Sequence, residues 1–385
     1  MTNAYIVAAV RTAGGRKNGR LSGVPPVELA ALVLDEVVAR TNIPPTAIDD
    51  VIMGCVSQVG EQSRQIGRFA VFASGLPDSV PAVTIDRQCG SSQQAVQFAA
   101  QAIMSGTQDV VIAAGVESMS RVPLGSASQP GQTPMVQRIK DRYGVENFVQ
   151  FTGANMIARK WGFSREDCDA FGLQSHKRAI AATNSGAFDS EIVPVKITLP
   201  DGTPDLHVKD EGIRWDASPE GMAGVKLLAE DGVITAATSS QITDGAAAVL
   251  VVSEKALKEY NLTPLARIAS FTVTAGDPVI MLEEPLYATD KALKRAGMKI
   301  SDIDLYEVNE AFAPIPLAWA KHVGADPAKM NVNGGAIALG HPVGASGAKL
   351  MATLIYALKK SGKRYGLQTM CEGGGVSNVT IIEAL

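Results

Sequence analysis

Residues 47–56 (Ala-Ile-Asp-Asp-Val-Ile-Met-Gly-Cys-Val) and residues 299–308 (Lys-Ile-Ser-Asp-Ile-Asp-Leu-Tyr-Glu-Val) share one pattern 252 positions apart. Each follows a helical stretch that begins near a proline, Pro26 or Pro285. An apolar run at 110–114 has its counterpart at 365–370, about 255 positions on. The 252-residue shift carries Cys89 onto His341, and each precedes a helical stretch leading into the equivalent strand. Chance similarity between two ordinary α/β stretches is the competing reading. Duplication constrains far more, because it brings two equivalent helix starts together around a pseudo-twofold axis. One site is then built from two halves.

The first 117 residues alternate strand and helix signals. Residues 27–40 place Leu29, Leu32, Val33 and Val37 at helical spacing, and an apolar run begins at Val51-Ile52-Met53. Val83-Thr84-Ile85 predicts another strand. Residues 90–105 put Ala95, Val96, Ala99, Ala102 and Ile103 on one helical face. The run at 110–114 predicts a strand covered on both sides. This rhythm is α/β. Between about 117 and 242 the texture changes. Residues 119–137 are rich in Ser, Pro, Gly and Gln, helical stretches fall near 155–160 and 165–183, and residues 200–224 are polar with many turn formers. That reads as an inserted excursion, with the α/β pattern resuming at 246–252.

With 385 residues, 46% hydrophobic and 19% charged, the chain can build two or three units with sizeable cores. Its net charge of -4 argues against a general nucleic-acid binder, so an anionic ligand needs a local basic patch. No apolar run of about 18 residues predicts a membrane span. The opening pattern from Tyr5 to Val10 is a short strand rather than a signal peptide, and the C-terminus carries no retention or peroxisomal address. The four cysteines, Cys55, Cys89, Cys168 and Cys371, are too scattered for a disulfide scaffold or a Cys-x-x-Cys metal site. A cytoplasmic protein with free thiols is the expectation.

Cys89 is followed by Gly90-Ser91-Ser92 and then a helical pattern. Unpaired N–H groups and the helix dipole at such a place favour thiolate, the nucleophilic form. The alternative is an inert packing cysteine. His341 lies in a glycine-dense loop, residues 334–347, where it could serve as base to a thiol. A phosphate cradle is the rival reading, although the Lys-Ser/Thr pair of a P-loop is missing, and a structural histidine in a turn is the plain one. Cys371 precedes Glu372-Gly373-Gly374-Gly375 at a strand end, where α/β folds place ligand-binding groups. It could be an acid/base with Gly373 offering an N–H to an oxyanion, or it could simply mark a tight turn. Asn309, after the strand ending at Val308, reads plainly as a helix N-cap. His176, His207 and His322 read as surface residues, and Cys55 and Cys168 as packing or surface ones.

Four segments in order decide between these readings: Asp86-Arg87-Gln88-Cys89-Gly90-Ser91-Ser92, Asn309-Glu310-Ala311-Phe312, the loop with Gly340-His341-Pro342, and Cys371-Glu372-Gly373. Their order and spacing resemble the thiolase family, with the likeness covering nearly the whole chain. The resemblance implies a five-layered αβαβα fold. One half would span 1–118 plus 243–264, the other 265–385, with a loop domain at 119–242.

It also implies roles. Cys89 would attack the 3-keto carbon of a 3-oxoacyl-CoA and hold the acyl group. His341 would take its proton and later activate CoA, and Cys371 would protonate the acetyl-CoA enolate. Asn309, through a water, would join His341 in one oxyanion hole, while the N–H groups of Cys89 and Gly373 form the other. CoA is then a co-substrate, with no cofactor or metal bound permanently. Lys226 and Ser240 match family positions beside CoA, and a homodimer or homotetramer is implied. The chain departs from the family at Val149-Gln150-Phe151, where many relatives carry His-Met-Gly, and in a shorter stretch around Lys226. Asp86 and Gln88 are similar to degradative thiolases acting on bulky acyl or sterol side chains. A condensing ketosynthase-like enzyme is disfavoured by Cys371, and a silent acyl-CoA or lipid carrier by the presence of all three reactive side chains.

Overall fold

The computed structural model describes residues 2–128 and 132–385, so part of the Ser/Pro/Gly/Gln-rich segment lies outside the described residues. The chain opens with β1 (Ala4–Thr12), β2 (Gly15–Arg16), α1 (Pro26–Thr41), β3 (Asp50–Gly54), α2 (Ile66–Ala73), β4 (Ala82–Ile85), α3 (Ser91–Ser105) and β5 (Val110–Ser118). The excursion holds α4 (Gln137–Tyr143), α5 (Gln150–Trp161), α6 (Arg165–Asn184), β6 (Ile192–Val193), β7 (Val195–Thr198), β8 (Pro204–His207) and α7 (Pro219–Ala223). Next come β9 (Thr243–Ser253) and α8 (Glu254–Glu259). The last third comprises β10 (Ala266–Ala275), α9 (Glu284–Ala296), β11 (Leu305–Val308), α10 (Pro314–Val323), α11 (Ala336–Leu339), α12 (Ser346–Ser361), β12 (Tyr365–Glu372) and β13 (Val376–Ala384).

Sheet topology repeats along with chain order. One half pairs its strands β1-β9-β5-β3-β4 and the other β10-β13-β12-β11, with antiparallel, antiparallel and parallel contacts at matching places. A short antiparallel contact, Tyr5 with Arg267 and Ile6 with Ala266, joins the halves edge to edge. α1 and α2 cover one outer face and α9 and α10 the other. α3 and α12 fill the middle, touching strands of both halves, which gives alternating helix and sheet layers. β5 and β9 are buried along their whole length, as strands covered on both faces must be.

The middle layer is tight because its contact residues are small. A Cβ on Gly347 would lie 2.1 Å from the backbone nitrogen of Gln93, so α12 meets α3 backbone to backbone there. Buried glutamines tie helix to strand: Gln93 Nε2 donates to Gln368 O at 3.2 Å and Thr380 Oγ1 at 3.0 Å. Such bonds keep amides in a dry seam from being left unpaired.

The repeat offset needs correcting. Asp50 to Leu305, Ser91 to Ser346 and Val110 to Tyr365 are each 255 positions, not 252. Short apolar runs can be matched at several offsets, whereas ladder pairing fixes one. His341 is therefore not the counterpart of Cys89. Cys89 lies two residues before α3, whereas His341 hangs in the longer loop ahead of α12.

Candidate active site

Cys89 sits on a strained turn between β4 and α3. Gln88 before it has φ +48°, a left-handed backbone that a side-chained residue adopts at a cost of about 1–2 kcal/mol. Asp86 holds the turn, accepting from Gln88 N at 2.6 Å, while the Ser91 hydroxyl donates to Gln88 O at 2.6 Å. The thiol lines a cleft of about 200 Å³ together with His341, Ser240, Leu124, Phe151 and Phe312. The thiolate expectation is overturned: burial first, then the Glu372 charge, pushes the Cys89 thiol up to about 12. Its own backbone N–H pulls the other way and loses.

His341 is buried at the same cleft, its loop pinned from both halves of the fold. Its N–H donates to Gln241 O at 3.1 Å and Thr243 Oγ1 at 3.0 Å, and Lys349 Nζ donates to the carbonyls of Leu339 and Gly340. Glu117, at the end of β5, accepts from Val56 N, Ser57 N and Gly344 N, tying the loop to the opposite half. On the ring, Nδ1 lies 2.5 Å from Ser346 Oγ, and that hydroxyl donates to Pro342 O at 3.0 Å. With its hydrogen spent on the carbonyl, Ser346 Oγ accepts from Nδ1–H, which assigns the tautomer and leaves Nε2 as the acceptor on the ring. Burial, aided by Lys349, lowers the imidazole to about 3. The resting pair is thus a neutral thiol and a neutral base.

Asn309 is not an N-cap, because α10 begins only at Pro314. Its Nδ2 lies 3.5 Å from His341 Nε2, and its side chain pulls the Cys371 thiol down, against the effect of burial. Cys371 is buried at the end of β12, close enough to Cys89 to feel its charge, and burial holds its thiol well above the ordinary range. The N–H groups of Cys89 and Gly373 have no partner among the hydrogen bonds of the described residues. Five of the predicted residues therefore converge: Cys89, His341, Cys371 and Asn309, with Gly373 packed against Gln88.

Ser240 lines the cleft, but Lys226 is exposed outside it, beside Val225. Val225 borders a second cleft, of about 410 Å³, into which Arg214 and His176 face. Gln241 lines both clefts, making them neighbours. Phe151 packs edge-on against Phe312, ring centroids 5.3 Å apart, forming one wall beside the thiol. The surface reading fails for His176 and His207, which are both buried: His176 Nδ1 accepts from Arg214 N and His207 Nε2 bonds Ala13 O. Both are neutral inside polar-looking sequence, which single-residue hydropathy misses. His322 stays half-exposed beside Asp290. Cys55 and Cys168 are buried, and all four thiols are free.

The model of the thiolase N-terminal domain matches residues 4–255 and that of the thiolase C-terminal domain residues 262–384. The chain belongs to the thiolase family. Among relatives of this thiolase, a steroid 3-ketoacyl-CoA thiolase of Mycobacterium tuberculosis is 52% identical, over 100% of this chain and 95% of that one. An acetyl-CoA acetyltransferase of Chromobacterium violaceum is 42% identical over 98% of each. The solved acetyl-CoA acetyltransferase of Bacillus anthracis superposes with TM-score 0.92 and 38% identity, covering 100% of this chain and 99% of that one. The thiolase fold and an acyltransferase activity follow.

Proposed function

We propose that this enzyme cleaves 3-oxoacyl-CoA with CoA, or condenses two acetyl-CoA in reverse, through an acyl-Cys89 intermediate. The observation that carries the residue roles is that His341, its Nδ1 held by Ser346, lines the same cleft as the Cys89 thiol, with Nε2 as its acceptor nitrogen. Cys89 gives its proton to Nε2 as sulfur adds to the 3-keto carbon. The C2–C3 bond then breaks, its electron pair forming the acetyl-CoA enolate, which takes a proton from Cys371. His341 then passes that first proton to the Cys371 thiolate and is free again. CoA gives its thiol proton to the His341 base and attacks the thioester, and the departing Cys89 sulfur takes that proton from His341, so both thiols end neutral.

Charge appears first on the keto oxygen and then on the enolate oxygen, and two donor sets suit that order. We assign Asn309 with His341 to one, and the spare N–H groups of Cys89 and Gly373 to the other. The excursion at 119–242 is read as the domain that receives CoA, with Ser240 near the thiol end and Arg214 and Lys226 supplying positive charge towards its phosphates. The two halves then correspond to 1–118 with 243–264 and to 265–385.

Lipid breakdown is the setting that the name of the steroid-thiolase relative supports. A dimer is inferred from β4, which ends the sheet path with Val83 exposed, flanked by exposed Phe69, Phe72 and Phe98. An apolar open edge is otherwise a template for aggregation.

Mass spectrometry after acetyl-CoA treatment, which loads Cys89 by thioester exchange without breaking a carbon–carbon bond, tests the assignment. Wild type and Cys371→Ala should both gain the acetyl mass on Cys89, yet Cys371→Ala should fail to form or cleave the carbon–carbon bond. Cys89→Ser should fold and lose thiolysis by about three orders of magnitude or more. Full turnover by Cys89→Ser would sink the nucleophile assignment.

A further inference from the structure

Glu372 follows one thiol in sequence and lies close enough to the other for its charge to be felt there, and it has no part in the steps above. It ends β12, flanked in sequence by Cys371 and Gly373, and it is fully buried. Neither carboxyl oxygen has a hydrogen-bond partner. Its place depends on a missing side chain, because a Cβ on Gly90 would lie 1.9 Å from Glu372 Oε1. The carboxyl thus rests on the backbone next to Cys89.

The groups facing it come from three segments. Arg87, Asp86 and Cys89 lie on the β4–α3 turn, Cys371 on β12 and Asn378 on β13. Asn378 spends its Nδ2 on Gly90 O at 3.2 Å, and its Oδ1 is unpartnered too. The Asn378 backbone and Arg87 favour a carboxylate in this buried notch, but neither makes a well-formed hydrogen bond to it, a costly state for a charge. The carboxylate would also oppose each anion of the reaction, namely the Cys89 thiolate, the oxyanion and the enolate. A protonated carboxyl avoids both penalties. Burial raises the group to about 8, against the pull of Arg87.

We propose that Glu372 is a positioning residue that serves the reaction as a neutral acid, and that its ionisation turns both thiols to a less reactive state. The switch moves one proton from the carboxyl to water and breaks no other bond. This rests on Cys89 being the nucleophile, but the test does not depend on turnover.

The rate of Cys89 alkylation by iodoacetamide is followed by peptide mass spectrometry on the intact enzyme, from about pH 6 to about pH 10. Thiolate sulfur displaces iodide, so the logarithm of the rate climbs in step with pH while nothing nearby titrates. In wild type the climb should flatten near pH 8, by roughly tenfold, before resuming. In Glu372→Gln it should run straight, so the ratio of variant to wild-type rate grows roughly tenfold across the same range. Glu372→Met, which fills the space without titrating, should also run straight and covers a misfolded Gln variant. A straight wild-type profile overturns the proposal with no variant needed, as does a break that persists in Glu372→Gln. An active Cys89→Ser enzyme would instead overturn the nucleophile assignment and leave this profile readable.

Discussion

At the residue scale, the group behind His341 matters as much as the cleft in front of it. Ser346 decides which ring nitrogen keeps the proton, by spending its own hydrogen on Pro342 O. Ser346→Ala should therefore lower kcat for acetoacetyl-CoA thiolysis by about tenfold to a hundredfold with little change in KM. An unchanged kcat would show that Asn309 alone orients the ring. No spacing signal marks Ser346 in the sequence, because its role depends on how the loop after Gly340 doubles back. Glycine density did mark that loop as more than packing material. The Cys89 environment was legible only in part. The helix start can be read from residues, but burial, which outweighs it, is set by distant chain segments.

At the scale of elements, the seam between α3 and α12 carries the site, since Cys89 leads into one helix and His341 approaches the other. Gly347→Ala would press a methyl onto the backbone of Gln93, where neither helix can yield. Urea unfolding should show a loss of about 1–3 kcal/mol, with activity falling alongside it. A neutral result would mean that the helices can part without cost. α1, α3, α6 and the strands β3, β4, β5 and β9 were readable from their periods and apolar runs, whereas α2, β10 and β13 were not. The exact correspondence between the halves was not readable either, since a run such as Val51-Ile52-Met53 fits more than one partner when ladder pairing is unknown.

For the whole molecule, duplication and an inserted excursion were both visible in the chain, because strand-helix rhythm and turn-rich texture survive without coordinates. Assembly leaves a fainter trace: β4 gives no sign in the sequence that its outer side is unpaired. Val83→Lys together with Phe72→Glu should shift the protein from dimer to monomer in sedimentation velocity while the monomer keeps its helical signal. A wild-type monomer would remove the dimer inference. The division of labour between the halves has a consequence for biosynthesis. A ribosome delivers the nucleophilic sulfur long before the histidine that serves it. Catalytic power therefore arises only once both halves have been made and packed against each other.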